Sequence, residues 1–281
     1  MAADSVKKSR ARQLARWGVW SAYPARTRPG RGRWFPFWLT VITVLALWWA
    51  VTATGRIDPL YLPSPIDVID RMITQASSGL AWLYLKPTVL AAMLGALIAA
   101  VVALPLGVLM THSRILGAIA EPFVAISQTV PLVAIAPLLV LWIGYGTVPI
   151  AVLCAIIAFF PMVTTTVVGF RALDMRLIDT ALLDGATGWQ RLWQVEGPMV
   201  APSVLAGVRG GVVLSMTGAV VGEMVMGGAG IGTLLTLMRE AVDTAGVFAV
   251  IAWISGVALV FHGIIQLLER AAVARLQGES T

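Results

Sequence analysis

The sequence is poor in charged residues. Only 12% of its 281 residues are charged, whereas 58% are hydrophobic, and the mean hydropathy of +0.86 lies far above that of an average soluble domain. This composition excludes an ordinary soluble protein and indicates a polytopic membrane protein. The sequence pI near 10.1 does not indicate nucleic-acid binding, because nine of the twenty basic residues are crowded before the first apolar run.

Cysteine and histidine are almost absent. The single cysteine, Cys154, lies inside an apolar run, which excludes an intrachain disulfide and a cysteine metal cluster. His112 and His262 are about 150 positions apart and have no Glu partner at metal-ligand spacing. We therefore expect both histidines to be structural or interfacial, and we expect no metal site and no cofactor bound by this chain.

Lysine is also scarce, and its positions exclude one source of energy. A phosphate-binding loop needs a lysine directly after a glycine, and none of Lys7, Lys8 and Lys86 follows one. The apolar runs also lack the chains of acids and lysines that a proton-coupled carrier uses, which disfavours a stand-alone secondary transporter. A membrane-embedded enzyme is disfavoured too, because no cluster of catalytic acids or histidines is evident. Energy is expected to come from a partner.

Six apolar runs are long enough to cross a bilayer, which predicts an all-α protein with six transmembrane helices. A cleaved signal peptide is a poorer interpretation of the first run, which is too long and too rich in tryptophan. The predicted organisation is a disordered basic arm (1–33), a first helix (34–54), an outer segment with a surface helix (55–86), a five-helix core (87–270) and a tail (271–281). The predicted spans are Trp34–Thr54, Pro87–Met110, Pro122–Gly144, Val148–Gly169, Val204–Met226 and Val247–Leu268.

The basic residues between the spans predict the orientation. With six spans and the amino terminus inside, the inner segments hold fifteen basic residues and the outer segments hold four. This asymmetry follows the positive-inside rule, although the amino-terminal arm supplies most of it. Both termini and the long loop 171–202 are therefore predicted to be cytoplasmic.

The segment from Asp174 to Pro202 is the only long polar interruption in the second half of the chain. Its charges place it in water, and its pattern is helical on both sides of Gly185. Four apolar residues recur along it and need another surface to cover them, namely Leu177, Ala181, Leu192 and Val195. A protein partner at the membrane face is the natural candidate.

Small residues recur at every fourth position in two spans. Such stripes allow helix backbones to approach closely inside a bilayer. They predict either helix packing within one subunit or a dimer seam, and the pattern does not separate the two. The residues are Ala91, Gly95, Ala99, Ala103 and Gly107 in span two, and Gly207, Gly211, Ser215 and Ala219 in span five.

Polar residues inside two spans suggest a translocation pathway. Gln128 and Thr129 precede Pro131 in span three, where a proline frees backbone carbonyls inside the bilayer. Glu223 is costly near the end of span five unless it is paired or hydrated. The alternatives are that Gln128 bonds to a neighbouring helix and that Glu223 lies at the interface. The predicted pathway residues are Gln128, Thr129, Met216, Thr217 and Glu223.

The polar segment resembles the cytoplasmic signature of permease subunits of binding-protein-dependent ABC importers, E-A-A, three residues, G, nine residues, I, one residue, L-P. Asp179-Thr180-Ala181, Gly185, Val195 and Gly197-Pro198 stand at the matching positions. Asp179, Thr180 and Gly197 depart from the pattern. The chain is also similar to the nitrate, sulfonate and taurine group of these permeases, which includes carriers of pyrimidine thiamine precursors and riboflavin. The similar stretches are Leu62-Pro63-Ser64-Pro65, Phe159-Phe160-Pro161 and Gly230-Ile231-Gly232.

The resemblance implies the type I ABC importer permease fold in a prokaryotic inner membrane. It further implies a homodimer, two separate ATPase subunits that bind ATP and Mg, and an extracytoplasmic solute-binding protein. The segment would form a coupling helix in a groove of the ATPase. The implied coupling residues are Asp179, Thr180, Ala181, Asp184, Gly185, Ala186, Trp189, Gln190, Val195 and Pro198.

Overall fold

A computed structural model describes residues 34–127 and 129–278, and the surroundings of the side chains at 38–127, 129–176 and 178–269. The predicted disordered arm 1–33 and Gln128 lie outside the described residues. The chain divides into two compact units, Met1–Gly55 and Arg56–Thr281. The described residues are helical and contain no strand, as the all-α prediction requires.

The first unit contains helix α1, Trp34–Ala53. Its few polar side chains bond back to their own helix, since Thr43 Oγ1 donates to the carbonyl of Leu39 at 2.7 Å and Thr52 Oγ1 to that of Trp48 at 3.0 Å. A hydroxyl satisfied in this way is compatible with an apolar environment. The helix corresponds to the first predicted span.

The second unit begins with a surface helix, α2 (Pro65–Ser77), and its long helices follow. Helix α2 starts at a capping box in which Ser64 and Asp67 bond to each other's backbone N–H. Four helices are long and apolar enough to cross a membrane; for this test the third is counted over Gly188–Met226 and the fourth over Thr244–Glu269. They are α3 (Leu80–His112), α6 (Thr147–Arg171), α8 (Gly197–Met226) and α10 (Thr244–Gly278).

The predicted third span is not one straight helix. Helix α4 (Arg114–Ser127) is followed by a 3₁₀ turn (Leu132–Ile135) and α5 (Ala136–Ile143), and the two halves are bent by 88°. The break falls beside Pro131, which has no N–H to continue a helical ladder. The continuous span Pro122–Gly144 is therefore corrected to a broken pair, and the described residues hold four spanning helices, or five if the pair counts as one.

The core of the unit is formed by α3, α6 and α8. A Cβ atom built on Gly95 would lie 2.7 Å from the carbonyl oxygen of Ala151, and one built on Gly207 would lie 1.9 Å from Thr165 Oγ1. Ser215 donates to the carbonyl of Ala92 at 2.6 Å. Both small-residue stripes thus lie against helices of the same chain, at distances that larger side chains would prevent.

Short helices close one end of the bundle. Helix α9 (Ile231–Glu240) follows α8 after the glycine-rich turn, and α10 begins soon after it. An ion pair joins Arg71 of α2 to Asp243, and Thr244 Oγ1 donates to the carbonyl of Leu60. We call this end the Glu223 end, and the opposite end, where α3 stops at His112, the His112 end.

Candidate functional site

The polar segment lies at the His112 end and begins with a capped helix, as its pattern predicts. Helix α7 covers Met175–Leu183, and its N-cap residue Asp174 accepts from the N–H of Arg176 at 3.0 Å. The helix ends at Gly185, whose φ of +82° is left-handed. Ala186 then donates its N–H to the carbonyl of Ala181 at 3.0 Å. Glycine is favoured at Gly185 because a side chain is strained in this conformation.

A second cap begins a new helical turn after Gly185, and this turn leads into helix α8. Thr187 and Gln190 form a capping box over the turn Gly188–Gln190. The chain continues through a π turn, Arg191–Glu196, directly into α8. The predicted loop between two spans is therefore helical on both sides of Gly185, with two caps that fix its shape. The π turn was not predicted from the sequence.

The predicted coupling residues form the outer face of this segment. Asp179, Thr180, Asp184, Gly185, Trp189 and Gln190 are exposed, whereas Ala181, Ala186, Val195 and Pro198 are half-buried. The exposed apolar surface of the segment includes Trp189, and residues outside the predicted set extend it. Leu183 is 89% exposed, and the rings of Trp189 and Trp193 lie 5.6 Å apart.

We call five of the exposed apolar residues of the segment the apolar patch: Met175, Leu182, Leu183, Trp189 and Trp193. Of the four residues that the periodicity selected, Ala181, Leu192 and Val195 are already half-buried within the chain, and the side chain of Leu177 lies outside the described residues. Part of each of these three side chains is still uncovered, so the expectation that a partner covers them stays a prediction. Periodicity missed the patch because the segment contains two caps and a π turn, which change the helical register.

A buried carboxylate joins the segment to the end of α3. The side chain of Glu196 is 3% exposed, and its Oε2 lies 2.8 Å from His112 Nε2. Its Oε1 lies 2.8 Å from Arg191 Nε, in an ion pair that lacks hydrogen-bond geometry. The ring of Phe170 meets the His112 ring edge-on at 5.5 Å. His112 thus joins the end of α3 to the segment through Glu196, a partner that sequence reasoning did not foresee.

Glu223 lies at the opposite end, where it caps a helix. Its Oε2 accepts from the N–H of Gly232 at 2.8 Å and from Thr88 Oγ1 at 3.0 Å. Thr88 Oγ1 accepts in turn from the N–H of Ile231 at 2.8 Å. Glu223 is 2% exposed. The carboxylate thus satisfies the first turn of α9, where free N–H groups favour negative charge; its assignment to a pathway stays a prediction.

The other predicted pathway residues do not converge in the described structure. Thr129 is exposed on the broken pair, and its hydroxyl donates to the carbonyl of Ile126 at 2.7 Å. Met216 belongs to the buried core, whereas its neighbour Thr217 is exposed and donates to the carbonyl of Val213 at 3.3 Å.

One ion pair inside the long helices was missed by sequence reasoning. Arg209 of α8 donates to Glu269 of α10 at 2.9 Å, and both side chains are largely buried. Sequence reasoning selected Glu223 in the apolar run Val204–Met226 and overlooked Arg209, the other charged residue of that run. Its pairing explains how the run tolerates the charge. Among the described residues, no group of three His, Cys, Asp or Glu could hold a metal ion.

The comparisons decide the family. Residues 103–273 match the family described as binding-protein-dependent transport system inner membrane component. The chain belongs to this family. The permease is 38% identical over 235 residues to the riboflavin transport system permease protein RibX of Chloroflexus aurantiacus, covering 84% of this chain and 88% of the relative. The expected kinship with binding-protein-dependent ABC importers is confirmed.

Two further relatives and one solved structure support the same family. The permease is 30% identical to the formylaminopyrimidine transport permease protein ThiX of Halalkalibacterium halodurans, covering 80% and 90% of the two chains. It is 28% identical to the taurine transport system permease protein TauC of Escherichia coli, covering 82% and 86%. The inward-facing MetNI methionine ABC transporter shares the fold, with a TM-score of 0.62 at 17% identity, covering 68% of the permease and 96% of that chain.

Family and structure together identify a multi-pass membrane protein, the permease component of a binding-protein-dependent ABC importer. Nothing in the comparisons favours a secondary transporter, and the family is one of transport components, not of enzymes.

Proposed function

We propose that the permease couples ATP hydrolysis in a separate ABC ATPase to the import of a small heteroaromatic solute of the riboflavin type. The apolar patch on the polar segment carries this proposal. Trp189 and Leu183 project into water from a segment that two caps hold in a fixed shape. A patch of large apolar and aromatic residues on such a rigid element is typical of a protein interface.

The ATPase is the partner that the sequence favours for this patch. The chain carries no phosphate-binding loop of its own, so energy must enter through a contact with another subunit. The segment continues into α8 without a break. A displacement of the apolar patch would therefore also move helix α8. Such a movement suits alternating access that is driven by closure of two ATPase subunits.

The remaining parts of the assembly follow from the family. We propose two ABC ATPase subunits at the His112 end, an extracytoplasmic solute-binding protein at the Glu223 end and a second copy of the permease. The chain would cross a prokaryotic inner membrane six times, with α1 as the first span and the broken pair α4–α5 as the third. Both termini would be cytoplasmic, as the distribution of basic residues favours.

The solute class rests on relatedness among the permeases. Identity is 38% to the riboflavin permease protein, against 30% to the formylaminopyrimidine permease and 28% to the taurine permease. Riboflavin and the pyrimidine are both heterocycles with hydrogen-bond donors and acceptors. We therefore favour a heteroaromatic solute over an aliphatic sulfonate.

Copurification tests the coupling. The permease is coexpressed with a candidate ABC ATPase from the same organism, and Leu183→Asp and Trp189→Asp place charges in the patch. We expect ATPase recovery to fall at least about tenfold, since a central aromatic or apolar anchor contributes about 2 kcal/mol or more. Ile66→Asp is the matched control, because Ile66 is 65% exposed on α2, away from the segment. Full ATPase recovery with both patch variants would contradict the coupling role.

Uptake of radiolabelled riboflavin tests the solute. Cells that lack riboflavin uptake are supplied with the permease, its ATPase and its binding protein. We expect uptake that an excess of unlabelled riboflavin abolishes and that taurine leaves unchanged. Uptake of labelled taurine with none of riboflavin would refute the solute class and leave the coupling role intact.

A further inference from the structure

The π turn Arg191–Glu196 is a rare type of helical turn that connects two functional parts of the chain. It lies between the segment that carries the apolar patch and helix α8, which spans the membrane. Single π turns inside helices are rare and occur often at functional sites. The N–H of Gly197 donates to the carbonyl of Leu192, five residues earlier, which closes the turn.

Gly197 is suited to this turn because it has no side chain. A Cβ atom built at position 197 would lie 2.8 Å from the carbonyl oxygen of Leu192, closer than real Cβ atoms approach. The contact is with backbone and cannot be relieved by rotating a side chain. Any larger residue therefore disfavours the π turn. The family signature has leucine at this position, so the presence of Gly197 accompanies a local change from α-helix to π-helix.

The π turn also determines which side chains meet. Residues five apart lie about 140° apart around an α-helix, because each residue turns the chain by about 100°. In the π turn, Arg191 and Glu196 are five apart and their side chains approach to 2.8 Å. This winding thus brings the cation and the carboxylate to one side, where the carboxylate also reaches His112.

His112 carries the contact to another membrane helix. It is the last residue of α3, and its Nδ1 lies 2.9 Å from the carbonyl oxygen of Val108. Its Nε2 lies 2.8 Å from Glu196 Oε2, so both ring nitrogens lie within hydrogen-bond distance of an oxygen atom. The ring packs against Phe170 near the end of α6. Three membrane helices, α3, α6 and α8, therefore meet at one buried carboxylate.

A buried ion cluster contributes little to stability compared with apolar packing, but it fixes geometry. Loss of one partner leaves an uncompensated buried charge, so the cluster favours one arrangement over its neighbours. A connection with one preferred arrangement is suited to transmitting movement between the segment and the membrane helices. A cavity of about 350 Å³ beside the cluster, lined by His112, Arg171, Met175 and Ile178, leaves room for the segment to shift if the cluster opens.

We propose that Glu196 is a positioning residue for coupling. Together with His112 and Arg191, it holds the π turn against the end of α3, so that the patch-bearing segment moves as one body with α3 and α8. This role rests on the proposed coupling to an ATPase. The geometry of the cluster itself does not depend on that coupling, so the two can be tested separately.

The first experiment measures the position of the segment without any partner. In the full chain carrying Cys154→Ala, spin labels are attached at Leu109→Cys on α3 and Leu183→Cys on the segment, both exposed. We expect one narrow distance distribution. Glu196→Gln and His112→Ala should raise the population of displaced segment about tenfold or more, since each removes a charge-assisted hydrogen bond.

A matched control and a milder variant keep this result interpretable. Glu121→Gln removes an exposed ion pair with Arg171 at the same end of the bundle and should leave the distribution unchanged. His112→Gln retains one donor for Glu196 and should lie between wild type and His112→Ala, and it serves if a harsher variant fails to fold. An unchanged distribution in Glu196→Gln and in both His112 variants would overturn the proposal.

The second experiment measures coupling in the complex. We expect Glu196→Gln to retain ATPase copurification, ATP hydrolysis and the KM for labelled riboflavin, but to lower riboflavin taken up per ATP hydrolysed about tenfold. The double variant His112→Glu with Glu196→His, which exchanges the two partners, should restore part of the uptake per ATP. If Glu196 were merely structural, Glu196→Gln would lower yield and melting temperature without lowering uptake per ATP selectively. Equal uptake per ATP in every variant would overturn the positioning role, whereas loss of the patch effect on ATPase recovery would refute only the proposed function.

Discussion

Replacing Glu223 by alanine should loosen helix α9 from the Glu223 end of the bundle. The carboxylate is 2% exposed and accepts from two buried donors, the N–H of Gly232 and the hydroxyl of Thr88. Alanine leaves the N–H of Gly232 without an acceptor, whereas the Thr88 hydroxyl can still donate to the carbonyl of Tyr84 at 3.2 Å. One buried donor left unsatisfied costs about 1–3 kcal/mol, which is the expected loss of stability.

Melting of the detergent-solubilised permease checks this magnitude. For a chain of this size each kcal/mol shifts the melting temperature by about 2–4 °C, so Glu223→Ala should melt about 2–12 °C below wild type. Glu223→Gln keeps one acceptor oxygen and should lose about half as much. Hydrogen exchange at Ile231 and Gly232 should accelerate in both variants, because their N–H groups depend on Thr88 and Glu223.

A double-mutant cycle with Thr88→Val locates the effect. Thr88 Oγ1 donates to Glu223 and accepts from the N–H of Ile231, so the two residues share one network. Their combined loss should be smaller than the sum by about 0.5–3 kcal/mol. Additive losses, or a melting temperature of Glu223→Ala within about 1 °C of wild type, would refute the capping role. A changed KM for solute in Glu223→Gln at unchanged stability would support the pathway role instead.

Three further predictions follow from packing and backbone geometry. Gly207→Ala should destabilise the helix bundle by about 1–3 kcal/mol in thermal unfolding, because its Cβ would overlap Thr165 Oγ1, whereas Gly210→Ala, with open space around its Cβ, should not. Gly185→Ala should cost about 1–2 kcal/mol and lower ATPase recovery, because its φ is +82°, whereas Gly188→Ala in the same segment should leave recovery unchanged. Cys154 is fully buried in the core and should resist maleimide labelling until the chain is unfolded. The control variant Leu183→Cys should react at once, because Leu183 is exposed. Labelling of Cys154 in the folded permease would contradict the packing of α6.

Much of the architecture could be predicted because the bilayer limits what a long apolar run can do. The helices α3, α6, α8 and α10 match predicted spans to within a few residues at one end or both. The caps at Asp174 and Thr187 and the turn at Gly185 agree with a segment that is helical on both sides of that glycine. These features depend on local chemistry, which short stretches of sequence carry by themselves.

The break in span three was not predicted, although its cause is visible in the sequence. Pro131 removes an N–H donor, but prolines are tolerated inside spans when neighbouring groups satisfy the freed carbonyls. Pro87 and Pro105 lie inside α3, and Pro161 lies inside α6, without ending either helix. Whether a proline bends or breaks a helix therefore depends on what packs around it, which the sequence alone does not state.

The sequence by itself determined the membrane class, the family and the position of the segment that we propose as the coupling site. Composition, run length and motif spacing are properties of the chain in one dimension, and the bilayer converts them directly into helices. Only the tertiary structure decided the roles of the buried acids. Glu196 meets His112 across 84 positions and Glu223 meets Thr88 across 135. A carboxylate in an apolar environment takes its role from the donors that surround it, and those donors come from distant helices that only folding brings together.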